Sequence, residues 1–305
     1  MDGLLLVDKP AGPTSHDVVV RMRRALRERR IGHTGTLDPA ATGLLPLVVG
    51  RATRLARFLS GAGKTYEAVI RLGVSTDSGD SHGRPVGTAH DGPLPSPDEI
   101  ARALDQFCGT YLQQPPAFSA RKIAGRRSYR LARQARDAVD LIRPAPTRVT
   151  VDHIAMLTYE QADLKLVISC SAGFYVRSLA HDLGQHLGTG AHLTALRRTR
   201  AGTFLLDRAI ELAAAEADPE RARAALIPMA EMMPGWSTVV LTADGVRHAR
   251  SGRDLGPADF GGSEGDAAAI APAGRVRLID GAGELVGIGE PAGAPGFLHP
   301  SVVLM

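Results

Sequence analysis

RVTVDHIAMLTYEQADLKLVISCSAG, residues 148–173, alternates apolar and polar side chains through two successive runs. A period of two sends neighbouring side chains to opposite faces of a pleated strand. The two runs therefore read as paired strands. Working outward, strand-like runs occupy 3–10, 44–49 and 65–73, and 195–206 reads as a strand-rich return. Helical patterns fall at 51–60, 98–107, 126–142, 175–188 and 208–227. Another follows Thr14-Ser15-His16-Asp17, which has the spacing of a capping box. Strands and helices mix without the regular alternation of a doubly wound sheet. The expected class is α+β: a mixed, largely antiparallel central sheet with flanking helices. Near residue 236 the composition shifts to glycines and short β-like segments. Two units are expected, 1–235 and a small β-rich 236–305.

The chain has 305 residues, 44% of them hydrophobic and only 4% aromatic, so the core is aliphatic. Apolar runs such as LLPLVVG (44–50) are strand-length, far short of the roughly 20 residues that cross a membrane. The N-terminus lacks the basic region of a signal peptide. Cys108 and Cys170 are the only cysteines, which fits a reduced cytoplasm rather than a disulfide scaffold. The net charge is +4, unevenly spread. Residues 231–305 hold five basic and nine acidic residues, leaving 31 basic and 23 acidic in 1–230. Only Lys9, Lys64, Lys122 and Lys165 are lysines; arginine, the better bidentate phosphate ligand, supplies the rest. The helix after Thr14 carries Val18, Val19, Met22 and Leu26 on one face and six arginines between 21 and 30.

The loop GHTGTLDPAATGLLP (32–46) places one carboxylate, Asp38, among glycines and threonines. Asp-Pro is a standard helix opening. Gly32, Gly35 and Gly43 also permit close approach by a ligand, and His33 and Thr34 add donors. SAGFYVRSLA (171–180) puts Tyr175 and Arg177 at the mouth of a helix, and an arginine beside a buried carboxylate keeps it ionised. Tyr66 stands at the start of a strand, and an aromatic ring is the kind of group that stacks on a base. GAGKT (61–65) copies the end of a P-loop, but Phe58 stands where the first glycine belongs and the helix precedes the strand. There is no metal-ligand constellation, no G-x-S-x-G elbow and no dinucleotide fingerprint. The expected protein uses no metal and no nucleotide cofactor.

GHTGTLDPAATGLLP resembles the catalytic motif of the TruB family of tRNA pseudouridine synthases. VDKPAGPTSHDVV (7–19), KTYEAVIRLGVSTDSGD (64–80), PPAFSARKIAGRRSYRLAR (115–133), SAGFYVRSLAHDLG (171–184) and AHLTALRRTRAGTF (191–204) resemble further family blocks, in family order. The 238–305 tail resembles a PUA RNA-binding domain. The resemblance implies the pseudouridine synthase fold and isomerisation of uridine 55 in the T loop of tRNA, with the base flipped into a pocket. It implies no cofactor, no membrane and a stand-alone monomer bound to the tRNA T stem-loop. It casts Asp38 as the catalytic aspartate, Arg177 as its partner and Tyr66 as the ring stacked on the target base. His33 would fill the gap left in the T loop, Tyr175 would line the pocket, Asp80 would contact a flipped neighbour and Leu196 would pack on the base. Lys9 and Lys64 would support substrate binding. Phe174 and Ala135 depart from the family, standing where a small hydroxyl residue and a glycine are usual.

Overall fold

The computed structural model describes residues 1–119, 121–123, 126–128, 143–261 and 274–304. The first strands are β1 (Gly3–Lys9), β2 (Ile31–His33), β3 (Thr42–Val49) and β4 (Lys64–Leu72). The hairpin β5 (Ser75–Thr76) and β6 (Pro85–Val86) follows, then β7 (Gly109–Gln113) and the pair β8 (Lys122–Ile123) and β9 (Arg126–Arg127). The 148–173 stretch forms β10 (Thr147–Glu160) and β11 (Asp163–Cys170), paired antiparallel as expected. After them come β12 (Ala191–Ala201), β13 (Phe204–Leu205) and β14 (Ile210–Glu211). The large sheet runs β14-β1-β3-β12-β4-β11-β10-β7, with β2 on β3 and β13 on β12. In this sheet, among the described residues, only the β1–β14 and β12–β3 pairs are parallel. A smaller sheet orders β15 (Thr238–Val240), β16 (Val276–Ile279), β17 (Leu285–Pro291) and β18 (Leu298–Val303).

Helices pack on the sheet because their apolar residues fall on one stripe. In α1 (Ser15–Leu26) the capping box forms as read: Asp17 N–H donates to the Thr14 hydroxyl, and Thr14 N–H donates back to the Asp17 carboxylate. Val18, Val19, Met22 and Leu26 are buried, and Arg23, Arg24, Arg27, Arg29 and Arg30 remain exposed. A short α2 (Ala56–Ser60) precedes β4, α3 (Pro97–Asp105) precedes β7, and α4 (Val176–His186) follows β11. Strand β1 is buried on both faces. Leu5 and Val7 join the core beneath α1, α3 and α4, whereas Leu4 and Leu6 join a second core with Ile288, Val302 and Leu304 of the small sheet. The two sheets are thus joined by continuous apolar packing.

One local alternative is decided and two local readings change. No helix opens at Asp38; residues 34–41 form a loop closed by a turn from Ala41 N–H to the Asp38 carbonyl. The 208–227 stretch is two short helices, α5 (Leu212–Ala217) and α6 (Pro219–Ala224). The break falls at Asp218, because the residue before a proline is pushed out of the helical region. In the 126–142 stretch, Arg126 and Arg127 are strand; 129–142 lie outside the described residues.

Candidate active site

Two neighbouring cavities open beside Asp38. One, of about 410 Å³, is lined by Asp38, Lys64, Tyr66, Tyr175, Arg177 and Leu196, among others. The second, of about 540 Å³, adds His16, Asp80, His82 and Phe118. His33, Asp38 and Arg177 border both. Eight of the nine residues singled out in the sequence therefore lie on this cavity pair; Lys9 does not.

Arg177 is the hub. It sits in the first turn of α4 with only 5% of its side chain exposed. Its Nε lies 2.9 Å from Asp38 Oδ2, and one terminal nitrogen lies 3.8 Å from Asp80 Oδ2. Its other contacts are to backbone: it donates to the Ser78 carbonyl at 3.0 Å and the Phe118 carbonyl at 2.8 Å. One planar guanidinium thereby ties together the Asp38 loop, the 76–80 turn and the end of the 114–118 segment. Asp80 also accepts from the Ser78 hydroxyl and from His82 N–H. The Asp38 side chain is 41% exposed, so it is not the buried carboxylate expected. It stands at the cavity mouth, paired with Arg177 on one side and open to solvent on the other.

Period two aims Lys64 and Tyr66 into the site. Residues 64, 66, 68, 70 and 72 of β4 all bury one face. Burial raises the Tyr66 phenol above its ordinary pKa, so it is protonated at neutral pH. The Lys64 ammonium donates to the Ser60 and Ala62 carbonyls at 2.7 and 2.5 Å, and burial lowers its pKa to about 8. Tyr175 caps α4, with its backbone held by the Gln113 side-chain amide in both directions, at 2.9 and 3.0 Å. Phe174 is buried in the same wall, giving an apolar ring where a small hydroxyl was usual.

Lys9 supports the site from behind. It is fully buried, and its ammonium donates to the carbonyls of Pro10, Pro39 and Ala41 at 2.8, 3.1 and 2.6 Å. Enclosed in this way it braces the loop, in place of the substrate contact expected of it. Burial lowers its pKa to about 8 as well. Ser15 of α1 adds a second brace, exchanging hydrogen bonds with the Leu37 backbone at 2.8 and 3.1 Å.

Sequence reasoning passed over Arg198. It lies on β12, 1% exposed, and lines the 410 Å³ cavity with Leu196, two residues earlier on the same strand. That spacing was the available signal. Two of the loop glycines also serve Arg198 rather than open space. A Cβ on Gly35 would meet its guanidinium at 3.4 Å, and one on Gly43 (φ +97°) would meet its backbone nitrogen at 2.7 Å.

The site is thus a cavity of about 410 Å³ lined by several basic side chains, with one carboxylate held by an arginine, on a mixed sheet. Comparison with known proteins gives the family. Residues 23–176 match the model of the TruB family pseudouridylate synthase N-terminal domain, and 177–233 match the tRNA pseudouridylate synthase B C-terminal domain. A tRNA pseudouridine synthase B from Solibacter usitatus is 42% identical over all of both chains. One from Gloeobacter violaceus is 48% identical, covering 71% of this chain and 74% of its own. Among solved structures, an H/ACA RNP chain bound to a substrate RNA containing 2'-deoxyuridine aligns with a TM-score of 0.70 at 26% identity, covering 99% of this chain and 85% of its own. The chain belongs to the TruB family of pseudouridine synthases, and it is an isomerase.

Proposed function

We propose that this chain converts uridine 55 in the T loop of tRNA to pseudouridine, acting as a cytoplasmic monomer with residues 1–235 as the catalytic unit and 236–305 as a PUA-like RNA-binding unit. The observation that carries the reading is the 2.9 Å contact between Asp38 and Arg177, 139 positions apart, on a cavity shared with Tyr66. In the reaction the C1′–N1 bond breaks, the base turns, and C1′–C5 forms. One proton leaves C5 and one is gained at N1, so nothing is oxidised or hydrolysed. Asp38 is the acting carboxylate, either on C1′ or on the 2′ proton, and Arg177 holds it in place for both routes. The Tyr66 ring lies against the target base, Tyr175 and Leu196 wall the pocket, and Lys64 places a cation at its floor. His33 borders both cavities and fills the place vacated in the T loop; Asp80 meets a flipped neighbour in the second cavity. The exposed arginines of α1 are suited to the RNA phosphates.

Two other readings are set against this one. A tRNA-binding protein without activity would use the same basic surface, but it would not need the Asp38–Arg177 pair, and the family of isomerases to which the chain belongs speaks against it. The H/ACA likeness suggests a different RNA, yet at 26% identity it is weaker than the 41–48% of the curated tRNA enzymes. Carbodiimide mapping of a tRNA transcript treated with the purified protein separates the three. Pseudouridine at position 55 alone is expected. Its absence, or its formation elsewhere, would overturn the assignment.

A further inference from the structure

We infer that Arg198 is a positioning residue for this isomerisation, fixing the Tyr66 side chain and the Asp38 loop with one buried guanidinium. The inference rests on the reading that Asp38 and Tyr66 act on the same base.

Arg198 faces Tyr66 directly across the β4–β12 ladder, and both line the 410 Å³ cavity. Its Nε donates to the Leu44 carbonyl at 2.7 Å on β3, and a terminal nitrogen donates to the Gly35 carbonyl at 3.1 Å in the loop. Three segments therefore meet on one side chain: the strand that carries Tyr66, the loop that carries Asp38, and the strand into which that loop runs. Among the described residues no carboxylate is within ion-pair reach of it. A buried cation satisfied by carbonyls alone is costly, and such departures from good packing cluster where function requires them.

The loop packs against this residue. A Cβ on Gly35 would lie in ordinary contact with the guanidinium, at 3.4 Å, and Gly43 adopts φ +97° where the Arg198 backbone presses on it. Both glycines belong to the 32–46 motif, so the motif encodes the seat of Arg198 as well as the acid. The charge acts on Tyr66 too. Burial raises the phenol pKa, and the charge of the nearby Arg198 guanidinium opposes that rise. Lysine has the charge but not the planar fork that serves two carbonyls on different segments together.

Two variants test this. Arg198→Lys should keep the melting temperature within a few degrees and keep the tRNA Kd. Its single-turnover rate should fall roughly 10- to 100-fold, because small misplacements of reacting groups are costly. Arg198→Met should move the ¹⁹F resonance of 3-fluorotyrosine at position 66 and raise its titration midpoint. A purely structural role would lower stability without altering that midpoint. A wild-type single-turnover rate in Arg198→Lys would overturn the inference. So would an unshifted Tyr66 midpoint in a folded Arg198→Met. If Arg198→Met does not fold, Arg198→Lys decides alone. The fluorine readout needs no turnover, so inactivity of the unmutated protein on tRNA would refute the proposed function while leaving this arm readable.

Discussion

Lys9 and Lys64 show how single residues set the pH range of the site. Each ammonium is enclosed by backbone carbonyls, and burial lowers each pKa from 10.5 to about 8. At pH 7 both are charged and brace the Asp38 loop and the cavity floor. As pH rises through about 8, each loses a proton and with it a donor. The single-turnover rate should therefore fall with an apparent pKa near 8, measured on a folded protein. Stability moves the other way. Between pH 8 and 10.5 the unfolded chain binds these protons and the folded chain does not, so their contribution to the unfolding free energy rises with pH and is lost as pH falls through 8. A rate that is flat to pH 10 would contradict the placement of both lysines. At this scale the sequence was informative about the acid and its arginine, because motifs name residue types. It was silent on burial: Asp38 is half-exposed and Lys9 fully enclosed, and only the packing of β1 against the loop decides that.

Among the elements, the loop 32–46 and strand β12 depend on each other through glycine. Gly43 combines φ +97° with the closest approach of the Arg198 backbone, including its carbonyl oxygen. Gly43→Ala should destabilise the protein by roughly 1–3 kcal/mol through the positive φ, more if β3 cannot retreat. Calorimetry should show a melting temperature lower by several degrees, whereas Gly61→Ala, where a Cβ meets nothing within 4 Å, should change it little. Equal melting temperatures would refute the close approach. The strand pair β10–β11 was legible because alternation is local. At Asp38 the same locality left a loop and a helix opening both open: Asp-Pro is a strong local cap signal, and here Lys9, Ser15 and Arg198, all distant in sequence, hold the segment as a loop. The split of 208–227 was legible in Asp218-Pro219, a signal outweighed by the run of alanines.

For the whole molecule, composition suggested two units, and the structure shows two sheets sharing a core. Leu4, Leu6 and Leu44 of the large sheet pack with Ile288, Val302 and Leu304. Arg51 binds Asp2 and donates to the Leu304 carbonyl, and Arg54 donates to the Val303 carbonyl. Arg277 donates to the Ala230 and Trp236 carbonyls, at 2.6 and 3.2 Å. Such continuous packing should make the chain unfold in one calorimetric transition with agreement between calorimetric and van't Hoff enthalpies. Two resolved transitions would show that the sheets are energetically separate. The charge asymmetry was visible in the sequence; the shared core was not, because it joins residues almost 300 positions apart.

The central claim is that Asp38, held by Arg177, performs the isomerisation. The most direct measurement is the single-turnover yield of pseudouridine at position 55 of a tRNA transcript with Asp38→Asn. The side chain keeps its size and loses its charge. Unchanged tRNA binding is expected, with a rate lower by roughly 10³-fold or more, in the upper range for removal of an acting acid–base group. Pseudouridine formation at the unmutated rate would contradict the central claim.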